Sequence, residues 1–199
     1  MGHIRRYASF LCLLVILSSD AAWAQQQVQP TRPDFAGIVW GESVAEATDK
    51  LVKIDFTEKE SFQQSGLSIT SYSGRALSEE ARVEVVISPK YGIQKVIVTL
   101  ITPDSEAVTK YADVSRMLVR KYGKVDSEVE FYQRPFEEGD GYEETAIRSG
   151  KGHLMTLWKV QDCTVASKVT DKLNVMITYE GPAWAAVVDA IEAADEAAF

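Results

Sequence analysis

Two runs near the C-terminus, Cys163 to Val169 and Leu173 to Tyr179, alternate apolar and polar residues with period two and are separated only by Thr170-Asp171-Lys172. Three residues cannot carry a parallel crossover, which takes a dozen or more, so this pair must be an antiparallel hairpin. The same alternation recurs at Leu67 to Ser73, Arg82 to Ser88, Ile93 to Thr102, Val125 to Gln133 and Leu154 to Val160. Val96 to Ile101 is apolar on both faces, which predicts a central strand. Sequential strands joined by short turns, such as Pro89-Lys90-Tyr91-Gly92, pair antiparallel with their neighbours.

Helical spacing appears three times. Ser43 and Glu46 form a capping box ahead of Val44, Ala47 and Leu51, predicting a helix at 43–52. Thr102-Pro103 offers an N-cap and a first-turn proline for a helix at 104–122. Val108, Tyr111, Ala112, Ser115, Leu118, Val119 and Tyr122 make its apolar stripe, and Gly123 stops it. After Gly181-Pro182, the residues Trp184, Val187, Val188, Ile191 and Ala194 mark a third helix. The expected order is α-βββ-α-ββββ-α: an α+β fold, its antiparallel sheet covered by helices on one face. Its two helix-then-strands halves suggest a tandem duplication.

The N-terminus has the three zones of a cleavable secretory signal: Arg5 and Arg6, the apolar run Phe10 to Leu17, and Ala22-Trp23-Ala24. The expected segments are therefore a signal peptide at 1–24, a flexible spacer at 25–34 rich in glutamine and proline, and a single domain at 35–199. The apolar run is far shorter than the roughly 20 residues that span a bilayer, so no stable membrane insertion is expected. Cys12 lies inside that run, not after a small residue at its end, and predicts no lipid anchor. The compartment implied is the periplasm or the exterior. Only Cys163 remains after cleavage, so no internal disulfide can form there and packing must supply stability. Cys163 itself reads as a small buried apolar residue.

The opening Phe35-Ala-Gly37-Ile-Val-Trp40-Gly41-Glu-Ser43, together with Leu118-Val-Arg-Lys-Tyr122-Gly123, resembles a broad group of poorly characterised exported bacterial helix-on-sheet proteins. The resemblance implies a capped helix joined to a sheet, then a second helix ending in Tyr-Gly and a further sheet with a tryptophan, here Trp158. More distantly the chain resembles the small modules of outer-membrane assembly lipoproteins and β-lactamase inhibitor proteins. Both resemblances bear on fold before function.

Chemistry is constrained mostly by what is missing. With His153 and Cys163 as the only histidine and cysteine past residue 24, no zinc motif can be written. A Cys163–His153 dyad requires that adjoining strands bring the two together. Gly41-Glu-Ser43-Val-Ala45 and Gly66-Leu-Ser68-Ile-Thr70 lack the last glycine of a nucleophile elbow. Gly139-Asp-Gly141 and Gly150-Lys151 do not complete a phosphate loop. No cofactor is expected. The whole chain carries −8, and loss of residues 1–24, with Arg5 and Arg6 against Asp20, takes it to −9, a balance that repels nucleic acid.

The candidate site is the segment Arg134 to Gly152, where Glu137, Glu138, Asp140, Glu143 and Glu144 stand among Phe136, Tyr142 and four glycines. So long a connection is usually functional or disordered. Its acids do not match the ligand spacing of an EF-hand, so no metal site is assigned and a solvated acidic loop is the simpler reading. Phe136, Tyr142, Glu137, Glu138 and Asp140 are the expected binding residues, with Trp40 as a second aromatic just before a helix cap. The function expected is an extracytoplasmic, non-enzymatic binding or interaction protein of the bacterial envelope, its partner a basic protein or envelope component. The alternative is a hydrolase acting on envelope polymers through paired carboxylates.

Overall fold

A computed structural model describes residues 32–196. The expected signal peptide, residues 25–31 of the expected spacer and Phe199 lie outside the described residues. The end of the spacer is already tied down: Arg32 donates twice to the Asp162 carboxylate, at 3.0 and 2.6 Å, and Pro33 is buried.

The elements are α1 (Val44–Val52), β1 (Thr57–Gln64), β2 (Leu67–Ala76), β3 (Glu79–Ser88), β4 (Gly92–Ile101), α2 (Ala107–Tyr122), β5 (Ser127–Tyr132), α3 (Glu143–Arg148), β6 (Gly152–Val160), β7 (Cys163–Val169), β8 (Val175–Glu180) and α4 (Trp184–Glu196). All eight strands form one antiparallel sheet in the order β1-β2-β3-β4-β8-β7-β6-β5. Each half is thus a helix followed by a four-strand meander, and the halves join through their last strands. As its two apolar faces predict, β4 is central, flanked by β3 and β8.

Inward-facing residues alternate along each strand of the middle of the sheet. Val83, Val85, Val96, Val98, Trp158, Val165, Val175 and Ile177 meet Ala47 and Leu51 of α1 and Tyr111, Val114 and Leu118 of α2 in one core. The capping box is present, with the Ser43 hydroxyl accepting from the Glu46 N–H and the Glu46 carboxylate accepting from the Ser43 N–H at 2.9 Å. Trp40 packs where the chain enters the domain: a Cβ on Gly181 would lie 2.7 Å from its ring, so glycine is needed there.

Several expectations are corrected. The helices do not share one face. Val187 of α4, with Trp184 and Ile191, packs on Leu67, Ile69 and Val86, which alternate with the core residues of β2 and β3 and so point the other way. The Lys95 ammonium lies 4.4 Å from the Trp184 ring on that outer side and pairs with Glu180 at 2.8 Å. The order also contains an additional strand and helix. β1, Thr-Glu-Lys-Glu-Ser-Phe-Gln-Gln, is exposed along its whole length and has no apolar alternation to betray it. The hint is Ser65-Gly66, whose positive φ values of 50° and 75° suit the tight turn of a two-residue hairpin.

Thr102 is not a helix cap. Its hydroxyl donates to the Leu173 carbonyl at 2.7 Å, and a short 3-10 turn at Asp104–Glu106 precedes α2. Leu173 takes a left-handed φ of 59° and plugs the core from the turn, so β8 starts at Val175, two residues later than its pattern suggests.

Trp158 is fully buried while the Tyr142 side chain is 61% exposed. Chemical denaturation is therefore expected to show a cost of roughly 3–5 kcal/mol for Trp158→Ala and a change within about 1 kcal/mol for Tyr142→Ala.

Candidate functional site

The segment 134–152 is shorter as a loop than its sequence suggests, because α3 occupies its second half. Ala146 and Ile147 of α3 are buried against Gly152, where a Cβ would lie 3.0 Å from the Ile147 nitrogen. A helix of six residues is too brief to show periodicity. The acids of the remaining loop are partly committed to its own backbone. Asp140 accepts from the N–H groups of Glu137 at 2.9 Å and Tyr142 at 2.8 Å, and Glu143 accepts from Gly139 at 2.9 Å. Among the described residues no group of three His, Cys, Asp or Glu side chains is placed to hold a metal ion.

The expected binding residues fall into three settings. Glu137, Glu138, Asp140 and Tyr142 are exposed, while Phe136 is half-buried with the Lys151 ammonium 6.0 Å from its ring. Trp40 is not brought to them. It sits by Gly181 at the far end of the neighbouring strands, and the eight residue steps of β6 alone span roughly 26 Å. His153 stacks on Phe131 at 5.9 Å, in register with it across β5 and β6, whereas Cys163 is buried beyond the other end of β6. That separation removes the dyad. Burial pushes the Cys163 thiol up to about 11, which makes it a poor nucleophile near neutrality.

One concavity among the described residues was not expected. A cleft of about 560 Å³ opens between α2 and the edge strand β5. Its floor is apolar: Val108, Ala112 and Val119 of α2, with Val125 and Leu154. At its base the Tyr111 hydroxyl meets the Thr156 hydroxyl at 2.6 Å, so this buried polar pair is mutually satisfied. One wall is Glu128 and Glu130, which alternate with Val129 on β5 and so share a face. The opposite rim is Arg116 and Arg120. Arg116 is paired with Asp113; among the described residues Arg120, Glu128 and Glu130 meet no opposite charge within 4 Å.

Glu130 is held above the usual carboxylate range. Partial burial is the first cause, followed by the negative charge of Glu138, with Glu128 and Glu143 adding to it. Glu138 is thus the expected binding residue whose charge reaches the cleft. The hydroxyl of Tyr132 donates to Glu130 at 3.4 Å, and burial together with the charges of Glu130, Glu143 and Glu138 pushes that hydroxyl well up.

A signal for the cleft was present in the α2 stripe. It is wider than one sheet contact can cover: Ala107, Tyr111, Val114 and Leu118 are buried, yet Val119 is left 42% exposed and Val108 and Ala112 are only half-covered. What they face cannot be read from spacing, because β5 lies beyond the end of the helix in sequence and reaches it only through the sheet.

No protein-family model, no curated protein and no solved structure matches the chain.

Because the carboxyl of Glu130 is raised on folding, the folded chain holds its proton to higher pH than the unfolded chain. Its contribution makes stability fall as pH rises through the window between the unfolded value and the raised folded one. Glu130→Gln is therefore expected to raise the urea midpoint at pH 7, with the gain vanishing below about pH 3, where both states are protonated.

Proposed function

We propose that this chain is an extracytoplasmic, non-enzymatic binding protein of the bacterial envelope. Its cleft between α2 and β5 receives a cationic group on an apolar body, presented by a basic protein or another envelope component. The observation that carries the reading is the placement of Glu128 and Glu130, without ion-pair partners among the described residues, directly over an apolar floor. A bound ammonium or guanidinium would offset their mutual repulsion, and the attached apolar surface would cover Val108, Ala112 and Val119. Of the loop acids, Glu138 and Glu143 add negative charge at Glu130. Export rests on the N-terminal signal pattern, and no helix among the described residues is long and apolar enough to cross a membrane.

The repetition of a helix and a four-strand meander supports a tandem duplication whose halves have diverged in use. The first half closes its inner side with α1. The second leaves a cleft beside α2.

A second reading is favoured by one feature. Glu128 and Glu130 line one wall of the cleft with the Glu130 carboxyl raised, and a polymer hydrolase likewise needs one carboxyl that keeps its proton and a second that does not.

Calorimetric titration with octylammonium and with octanoate separates the alternatives. The binding reading expects octylammonium to bind and octanoate not to, with E128Q/E130Q lowering the affinity by about tenfold, a loss of ~1.4 kcal/mol. Equal binding of the two amphiphiles would show that the carboxylates play no part. Release of dye from labelled peptidoglycan that E130Q abolishes would establish the hydrolase instead.

A further inference from the structure

The two edges of the sheet are built differently. β1 carries alternating Glu58, Lys59 and Glu60 and breaks its register between Glu58 and Glu60, devices that discourage another strand from adding. β5 has neither. Its six residues pair one to one with β6, from Ser127 opposite Leu157 to Tyr132 opposite Gly152, and no irregularity interrupts them. It is exposed over Ser127 to Phe131.

The register shows which backbone groups are free. Gln133 donates to the Lys151 carbonyl at 2.7 Å in line with that pairing, so the alternating partners Phe131, Val129 and Ser127 also turn their backbone groups toward β6. The N–H and C=O groups of Glu128, Glu130 and Tyr132 therefore point away from the sheet. Their side chains lie on the cleft side, while Val129 and Phe131, 37% and 44% exposed, present apolar surface on the other side.

We infer that β5 captures an extended basic peptide as a ninth, antiparallel strand, with cationic side chains opposite Glu128 and Glu130 and apolar side chains beside Val129 and Phe131. The inference rests on the binding reading above and names its partner class. A strand of that pattern satisfies three sets of outward backbone groups while placing directly opposed side chains about 4.5–5.5 Å apart, where opposite charges stabilise and like charges destabilise. The same rule disfavours a second copy of this chain, whose β5 would set glutamate against glutamate.

The probe is a capped heptapeptide alternating valine and lysine, compared with two N-methylated forms. Methylation of the lysine amides, which would face β5, is expected to weaken binding at least about tenfold; methylation of the valine amides, which would face solvent, should change it less than about threefold. Hydrogen exchange of the Glu128 and Glu130 amides should slow when the unmodified peptide is bound. Binding that ignores both methylation patterns and leaves these amides unprotected would overturn strand addition. If octylammonium still binds in that case, the cleft stands and only the strand inference fails. If the heptapeptide binds and is weakened by lysine-amide but not valine-amide methylation, while octylammonium does not bind, the edge is the site and the cleft reading fails.

Discussion

The pairing of β4 with β8 governs everything else in the molecule. Six residue pairs, from Lys95 opposite Glu180 to Leu100 opposite Val175, join the two meanders through their last strands. That junction buries Val96, Val98 and Leu100 beside Val175, Ile177 and Tyr179, and it is reinforced by the Lys95–Glu180 ion pair at one end. The Thr102 hydroxyl bond to the Leu173 carbonyl closes the other end. Once the last strands occupy the centre, the first strand of each meander must lie at an edge. β5 is consequently exposed, and the part of α2 that reaches past the buried sheet has only β5's inner side to face.

That geometry is why the proposed binding surface differs from the loop to which composition points. The acidic stretch after β5 attracts notice because its charges are dense, but Asp140 and Glu143 are occupied in holding the turn, and α3 anchors the rest. Glu128 and Glu130, which have no ion-pair partner among the described residues, look in sequence like the polar half of an ordinary alternating strand. Edge glutamates commonly serve to keep strands from associating. In this chain they also stand above apolar surface, and the charge of Glu138 leans on one of them. Under the strand addition inferred above, that combination makes a protective feature selective, excluding acidic strands and admitting basic ones.

Much of the framework was legible because burial leaves a period. Ser43 and Glu46 announced α1, and the strands β2 to β4 and β6 to β8 showed their alternation. The free cysteine was expected in the interior as a small apolar residue, and it lies there. Elements that bury little were silent: β1 is solvated on both faces and α3 has fewer than two turns. The single-face arrangement of helices failed for a different reason. Leu67, Ile69 and Val86 are apolar residues on the outer side of strands whose inner side is also apolar, and only tertiary structure shows that α4 covers them. The cleft was hidden for the same reason, as its two walls are related by the sheet and not by sequence spacing.

Chemical-shift mapping of the amide spectrum during titration with octylammonium tests the location of the site most directly. The largest shifts are expected at Val108, Ala112, Glu128 and Glu130, saturating together with one affinity. Shifts confined to Glu137 through Tyr142, or spread over the outer sheet residues Ile97, Met155 and Met176, would contradict the assignment of the α2–β5 cleft as the binding surface.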